Sequence, residues 1–242
     1  AVDISAFVAT SATTNEGVAN LSTATGGGEI DMGNSITGAY TLTGLSGDDT
    51  LKGNGNTDTI NGGDGVDTID GRGGNDEING GAGADIIIVS TAGDGNGDTI
   101  LGGSGDDILQ LSTGSHAFST DANVQSIETI TLNASGTVID LTGQTEGFII
   151  TGGADIDEIT GGSGDDTISG AAGADIIKGA GGTDTISVGS SDSASDVIIF
   201  DATSGMDIIQ QFTAGATNGD ILKYIGNLTD AESSANITTG ND

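Results

Sequence analysis

The stretch Gly62-Gly63-Asp64-Gly65-Val66-Asp67-Thr68-Ile69-Asp70 decides how this chain folds. Its frame returns as Gly80-Gly81-Ala82-Gly83-Ala84-Asp85-Ile86-Ile87-Ile88, as Gly102-Gly103-Ser104-Gly105-Asp106-Asp107-Ile108-Leu109-Gln110 and as Gly161-Gly162-Ser163-Gly164-Asp165-Asp166-Thr167-Ile168-Ser169. Aspartate holds position six at Asp49, Asp58, Asp67, Asp76 and Asp85, each nine residues apart. After an insertion of four residues, around Ala92 to Asn96, it resumes at Asp98 and Asp107. A second block supplies Asp157, Asp166, Asp175 and Asp184, then Asp196 after three extra residues. Two residues beyond each aspartate stands an aliphatic side chain: Leu51, Ile60, Ile69, Ile78, Ile87, Ile100, Leu109, Ile159, Ile168, Ile177, Ile186 and Ile198.

Glycine gives the positive φ and close backbone approach that a tight turn needs. The three residues that follow, such as Thr68-Ile69-Asp70, alternate polar, apolar, polar, the period of a strand with one face buried. Each nonapeptide is then half a coil, and eighteen residues complete one coil with a strand on either side. The expected fold is all-β: a right-handed parallel β-helix, or β-roll solenoid, with an irregular β spacer and end caps. Gly53-Asn54-Gly55 and Gly71-Arg72-Gly73 lack glycine at position two, and Asp155 replaces the position-four glycine before Asp157, so these turns are expected to be strained or weak in binding. Isolated Asp-Gly and Asn-Gly pairs are ordinary hairpin signals, and an acidic glycine-rich chain can be disordered. Neither alternative explains the aliphatic position.

Aspartates eighteen apart stack along one edge of such a roll and repel unless a cation lies between them. Ca²⁺ takes about six to eight oxygen ligands, and a turn offers carboxylates together with carbonyls. The metal-ligand candidates are the twelve position-six residues, Asp49, Asp58, Asp67, Asp76, Asp85, Asp98, Asp107, Asp157, Asp166, Asp175, Asp184 and Asp196. Eighteen-residue pairing gives on the order of eight Ca²⁺ ions.

These motifs resemble the RTX, or haemolysin-type calcium-binding, repeat family, over roughly half of the chain. The resemblance implies ions bridging adjacent coils, and an extracellular protein exported in one step through an uncleaved C-terminal signal. The spacer phrase from Val124 to Gly143, VQSIETITLNASGTVIDLTG, resembles the spacers of RTX-bearing bacterial surface-layer proteins and large adhesins.

The organisation expected is a β cap over 1–43, a first repeat block over 44–111, a calcium-free β spacer over 112–150, a second block over 151–200 and a capping segment over 201–242. In the last, Phe212 and Tyr224 are expected to plug the final coil. Asp207 and Asp220 are read as solvated turn residues in preference to calcium ligands.

Composition narrows the partners. Thirty-six acids against four bases leave a net charge of −32, which disfavours nucleic acid and anionic lipid. No apolar run is long enough to insert in a bilayer. Seven aromatics, with no Trp, and forty-five glycines make a thin core, so the repeats are expected to fold only when calcium binds. Without cysteine no disulfide can replace the metal, and extracellular calcium modules bind at roughly 0.1–1 mM. No signal peptide is visible, and Ala1 is read as a processed end or a domain boundary. His116, the lone histidine, stands in a Ser-Thr-Gly spacer and is read as packing or surface. Adjacent acids such as Asp48-Asp49 are too common to mark a glycosidase pair, and position five is expected to face water. The chain is therefore read as non-enzymatic: a secreted calcium-binding structural protein of a bacterial surface layer or extracellular coat, on the cell surface. It would self-associate into a lattice or filament, with cell-surface polysaccharide a candidate partner. A C-terminal RTX folding and secretion module of a larger enzyme, toxin or adhesin is the second reading. A polysaccharide lyase or epimerase is disfavoured by scattered bases, and an ice-binding roll by the lack of an outward Thr/Asn rank.

Overall fold

A computed structural model describes residues 3–4, 6–8, 19–23, 26–34, 38–90, 97–133, 136–189, 194–213, 219–225 and 239–240. The insertion around 92–96 lies outside them, as do residues 190–193 before Asp196. Among the described residues there is no α-helix, and the strands in both compact units are parallel.

The first unit comprises Ala1–Ser112 and Ala122–Thr129. Its strands alternate along the chain between two rows. One row runs through Tyr40–Ser46, Thr59–Asp64, Glu77–Ala82, Thr99–Ser104 and Val124–Gln125. The other runs through Glu29–Asp31, Thr50–Lys52, Thr68–Asp70, Ile86–Val89 and Ile108–Leu111. Register sets Leu42 beside Ile60, Ile78, Ile100 and Val124 in the first row, and Ile30 beside Leu51, Ile69, Ile87 and Leu109 in the second. Two nonapeptides therefore make one coil. At the insertion, Ile78 pairs with Ile100 and Ile87 with Leu109: the extra residues leave the register intact.

The second unit comprises Thr113–Asp121 and Ile130–Asp242. One row runs Gly114–Ala117, Thr137–Asp140, Glu158–Thr160, Ile176–Lys178, Val197–Phe200 and Ile221–Tyr224. The other runs Ile149–Thr151, Thr167–Ser169, Thr185–Ser187, Ile208–Gln210 and Thr239–Gly240. The spacer strands are thus parallel coil strands like the rest.

All twelve aliphatic residues of the repeat are at most 2% exposed. Burying each contributes about 1.5–3 kcal/mol, against the ordering entropy of the glycine-rich turns. The aromatic plug expected at the C-terminal end is not what the fold uses. Phe212 and Tyr224 are only half-buried, whereas Phe118 and Phe148 are fully buried. Both lie in the spacer, and aromatic volume is used there. His116 is also fully buried, in register with Ile139, an inward packing position.

Candidate metal centres

Every position-six aspartate is buried, with at most 2% of its surface exposed. What binds each one there is the coil before it. Oδ1 of Asp67 accepts the Asp49 N–H at 2.8 Å, Oδ1 of Asp85 accepts that of Asp67 at 2.8 Å, and Oδ1 of Asp107 accepts that of Asp85 at 2.8 Å. This ladder starts on the Gly28 N–H, taken by Asp49 at 2.5 Å, and ends where Glu128 Oε2 accepts the Asp107 N–H at 2.7 Å. On the opposite edge of the same unit, Asp58 accepts from Tyr40, Asp76 from Asp58 and Asp98 from Asp76, at 2.7–2.8 Å.

The second unit repeats the device. Asp157 accepts from Thr137, Asp175 from Asp157, Asp196 from Asp175 and Asp220 from Asp196. On its other edge Asp166 accepts from Phe148, Asp184 from Asp166 and Asp207 from Asp184. The carboxylates stack coil upon coil as the spacing suggests, but a backbone N–H joins each to the next. The carbonyl of every position-six aspartate but Asp98 is tied in the same way, as when Ile86 N–H donates to Asp67 O at 2.8 Å, while Asp98 O accepts from the Asn123 side-chain amide at 2.9 Å.

One ladder residue, Glu128, escaped the sequence reading, and two more, Asp207 and Asp220, are not the solvated turn residues expected, since each accepts a backbone N–H from the coil before. Glu128, Asp207 and Asp220 lack the glycine-rich hexapeptide in front of them. Their signal is an acid two residues before an inward aliphatic: Glu128-Thr129-Ile130, Asp207-Ile208-Ile209 and Asp220-Ile221-Leu222.

With Oδ1 committed, the chemistry rests on Oδ2. In Asp67, Asp85, Asp107 and Asp184 this oxygen is buried and accepts no hydrogen bond. A buried carboxylate oxygen left so costs about 1–3 kcal/mol or more. Its surroundings are oxygen-rich. A Cβ added to Gly62 would run into both Asp67 Oδ2 and Gly80 O, and one added to Gly80 into Asp85 Oδ2 and Gly102 O. Position one must be glycine because the carboxylate of its own turn and a carbonyl of the next coil fill the space. Carboxylate and carbonyl oxygens are the donor set of a hard cation, Ca²⁺ above all. Among the described residues no three His, Cys, Asp or Glu side chains converge on one point, so backbone carbonyls must supply most ligands. The residues fit calcium on those terms.

Electrostatics agree. Burial pushes Asp166 up to about 7, against the hydrogen bonds from Phe148 and Gly162. Burial also takes Asp67 up to about 6, with Asp85, Asp49 and Asp48 adding to the rise. Asp85, Asp107, Asp157 and Asp184 are likewise raised, chiefly by burial. Carboxylates so placed resist ionisation until a cation compensates them. Position five behaves differently: Asp48, Asp106 and Asp165 are exposed. The few bases lie apart from these turns' carboxylates. Arg72 Nη1 binds Asp31 at 2.9 Å, and Lys178 Nζ binds Asp201 at 2.6 Å.

A family model for the RTX calcium-binding nonapeptide repeat matches four stretches, residues 41–69, 61–89, 92–115 and 151–186. No curated protein matches the chain.

Proposed function

The chain belongs to the RTX calcium-binding repeat family, and from that premise we propose that it is a secreted structural protein of a bacterial surface layer or extracellular coat, which folds and assembles as calcium binds. RTX repeats bind Ca²⁺, and proteins that carry them are typically extracellular. The observation that carries the folding half of the proposal is the buried, unsatisfied Oδ2 of Asp67, Asp85 and Asp107 along one edge. Bound calcium would supply the counter-charge these oxygens lack, and pairing by coils would give on the order of eight ions in all. The residues hold and orient the metal through their carboxylates and turn carbonyls, and no bond is made or broken.

The structural half is supported by outward faces rich in small polar and acidic side chains, and by the packing role of His116, fully buried beside Ile139. A lattice or filament of like chains, with cell-surface polysaccharide as anchor, suits such a surface. Negative-stain electron microscopy of the full chain tests it, first in chelator and then in about 1 mM calcium. Sheets or fibres that dissolve on chelation are expected. Folded monomers that never associate contradict the coat and favour a folding and secretion module of a larger secreted protein.

A further inference from the structure

Among the described residues the hexapeptide turn occurs in two conformations. In the turns ending at Asp67, Asp85 and Asp107, positions two and four are both left-handed: φ is +113° and +134° at Gly63 and Gly65, +117° and +137° at Gly81 and Gly83, and +117° and +138° at Gly103 and Gly105. The turn ending at Asp184 follows them, with +76° at Ala180 and +111° at Gly182. In the turns ending at Asp58, Asp157 and Asp166, neither position is left-handed. There the N–H of position two donates to Oδ2 of the same turn: Asn54 to Asp58 at 2.8 Å, Gly153 to Asp157 at 2.7 Å and Gly162 to Asp166 at 3.0 Å. The oxygen left unsatisfied in the first state is capped in the second.

Local sequence does not choose between them. Gly102–Asp107 and Gly161–Asp166 are the same hexapeptide, GGSGDD, yet the first is left-handed and the second capped. What differs is the coil before. Asp107 accepts from Asp85, the end of another repeat turn, whereas Asp166 accepts from Phe148, in the spacer. Ser163 N–H is drawn at the same time to Gln144 O at 3.0 Å. The other capped turns also follow non-repeat residues, since Asp58 accepts from Tyr40 and Asp157 from Thr137. Each capped turn is therefore the first repeat turn of its ladder. The fourth ladder begins at Asp49, whose turn is left-handed at Leu45 and Gly47, but it follows Gly26-Gly27-Gly28, where Gly27 is itself left-handed at +91°.

We propose that the repeat turn is a two-state element. In the left-handed state Oδ2 is open to calcium, and in the capped state the position-two N–H stands where the ion would act. Stacking on an earlier glycine turn selects the first state, and stacking on a non-repeat coil selects the second. The turns at Asp58, Asp157 and Asp166 thus end the calcium columns and take the ion last. In the turns ending at Asp157 and Asp166, glycine at position two (Gly153 and Gly162) lets the peptide change state with little steric cost. This inference rests on the calcium reading above and divides its sites into two classes.

Equilibrium dialysis of the full chain across buffered free calcium tests it, with Asp85→Asn and Asp166→Asn as variants and circular dichroism in saturating calcium to check their folding. Two classes of bound calcium are expected, their midpoints separated by about tenfold or more. Asp85→Asn should shrink the tight class, and Asp166→Asn should leave it unchanged and shrink the weak one. A single class, or equal damage to the tight class by both variants, overturns the two-state turn while leaving calcium binding standing. A wild-type chain that binds no calcium at about 1 mM overturns both. Wild-type crystals grown with limiting terbium give a check that needs no variant. Anomalous peaks are expected at the turns ending at Asp67, Asp85 and Asp107, and peaks of equal height at those ending at Asp58 and Asp166 contradict the proposal.

Discussion

The backbone N–H of Asp67 donates to Oδ1 of Asp85 at 2.8 Å, from one coil to the same place in the next. One carboxylate thus has two duties. Oδ1 ties consecutive coils together, and Oδ2 awaits a cation. The duties separate by mutation. Asp85→Asn keeps an oxygen for the Asp67 N–H and loses the charge, whereas Asp85→Ala loses both and strands a buried donor. In saturating calcium, urea denaturation should place Asp85→Ala below Asp85→Asn by about 1–3 kcal/mol. Equal stabilities would mean that the N–H bond contributes nothing.

Without calcium, acid should favour the fold. Asp67 and Asp166 stand near 6 and 7 in the folded chain, against 3.8 as the ordinary value. Raised carboxyls contribute stability that is fully present below about pH 4 and is lost as pH rises through 6 to 7. Chelated protein should therefore show more β structure at pH 4.5 than at pH 7.5 by circular dichroism. Asp201 works in the opposite sense. Lys178 and Thr203 hold it at about 2, so its contribution is present above pH 4 and disappears only toward pH 2. A chelated chain that gains structure as pH rises from 4.5 to 7.5 would contradict the assignment of the buried carboxyls.

The repeat glycines should differ by position. Gly62→Ala sets a methyl against Asp67 Oδ2 and Gly80 O, while Gly55 has nothing within 4 Å of an added Cβ. Gly62→Ala should raise the calcium midpoint of folding by about tenfold, since ~1.4 kcal/mol of strain suffices. Gly55→Ala should leave it within about twofold. Comparable midpoints for both would remove the steric account of position one.

Ile69 is fully buried, in register between Leu51 and Ile87. Ile69→Ala should cost about 2–5 kcal/mol in calcium. Coils in a solenoid contact only their neighbours, so the loss should lower cooperativity as well as stability, read as a smaller urea m-value. A loss under about 1 kcal/mol would show that the row tolerates a gap.

Much of this could be read from the order of residues alone. Asp67 and Ile69 alternate with the strand period, and their recurrence fixes coil length, strand face and the inward aliphatic rows. The inward placement of the aspartates and the role of Oδ1 could not be read, because both depend on the N–H of a residue in another coil. Glu128 escaped because a longer side chain after a non-repeat turn reaches the same N–H that an aspartate reaches elsewhere. Phe118 and Phe148 took the aromatic burial expected of Phe212 and Tyr224, since the spacer's demand for volume has no periodic signature. The state of each turn was the least legible feature: GGSGDD is left-handed at Gly103 and capped at Gly162.

The most direct test of the central claim, that calcium completes these buried carboxylates and so folds the chain, is a far-ultraviolet circular dichroism titration of the whole chain at pH 7.5. Starting in chelator, a largely unordered spectrum should turn β-rich in one cooperative step as free calcium passes through roughly 0.1–1 mM. A spectrum already β-rich in excess chelator and unmoved by calcium would contradict it.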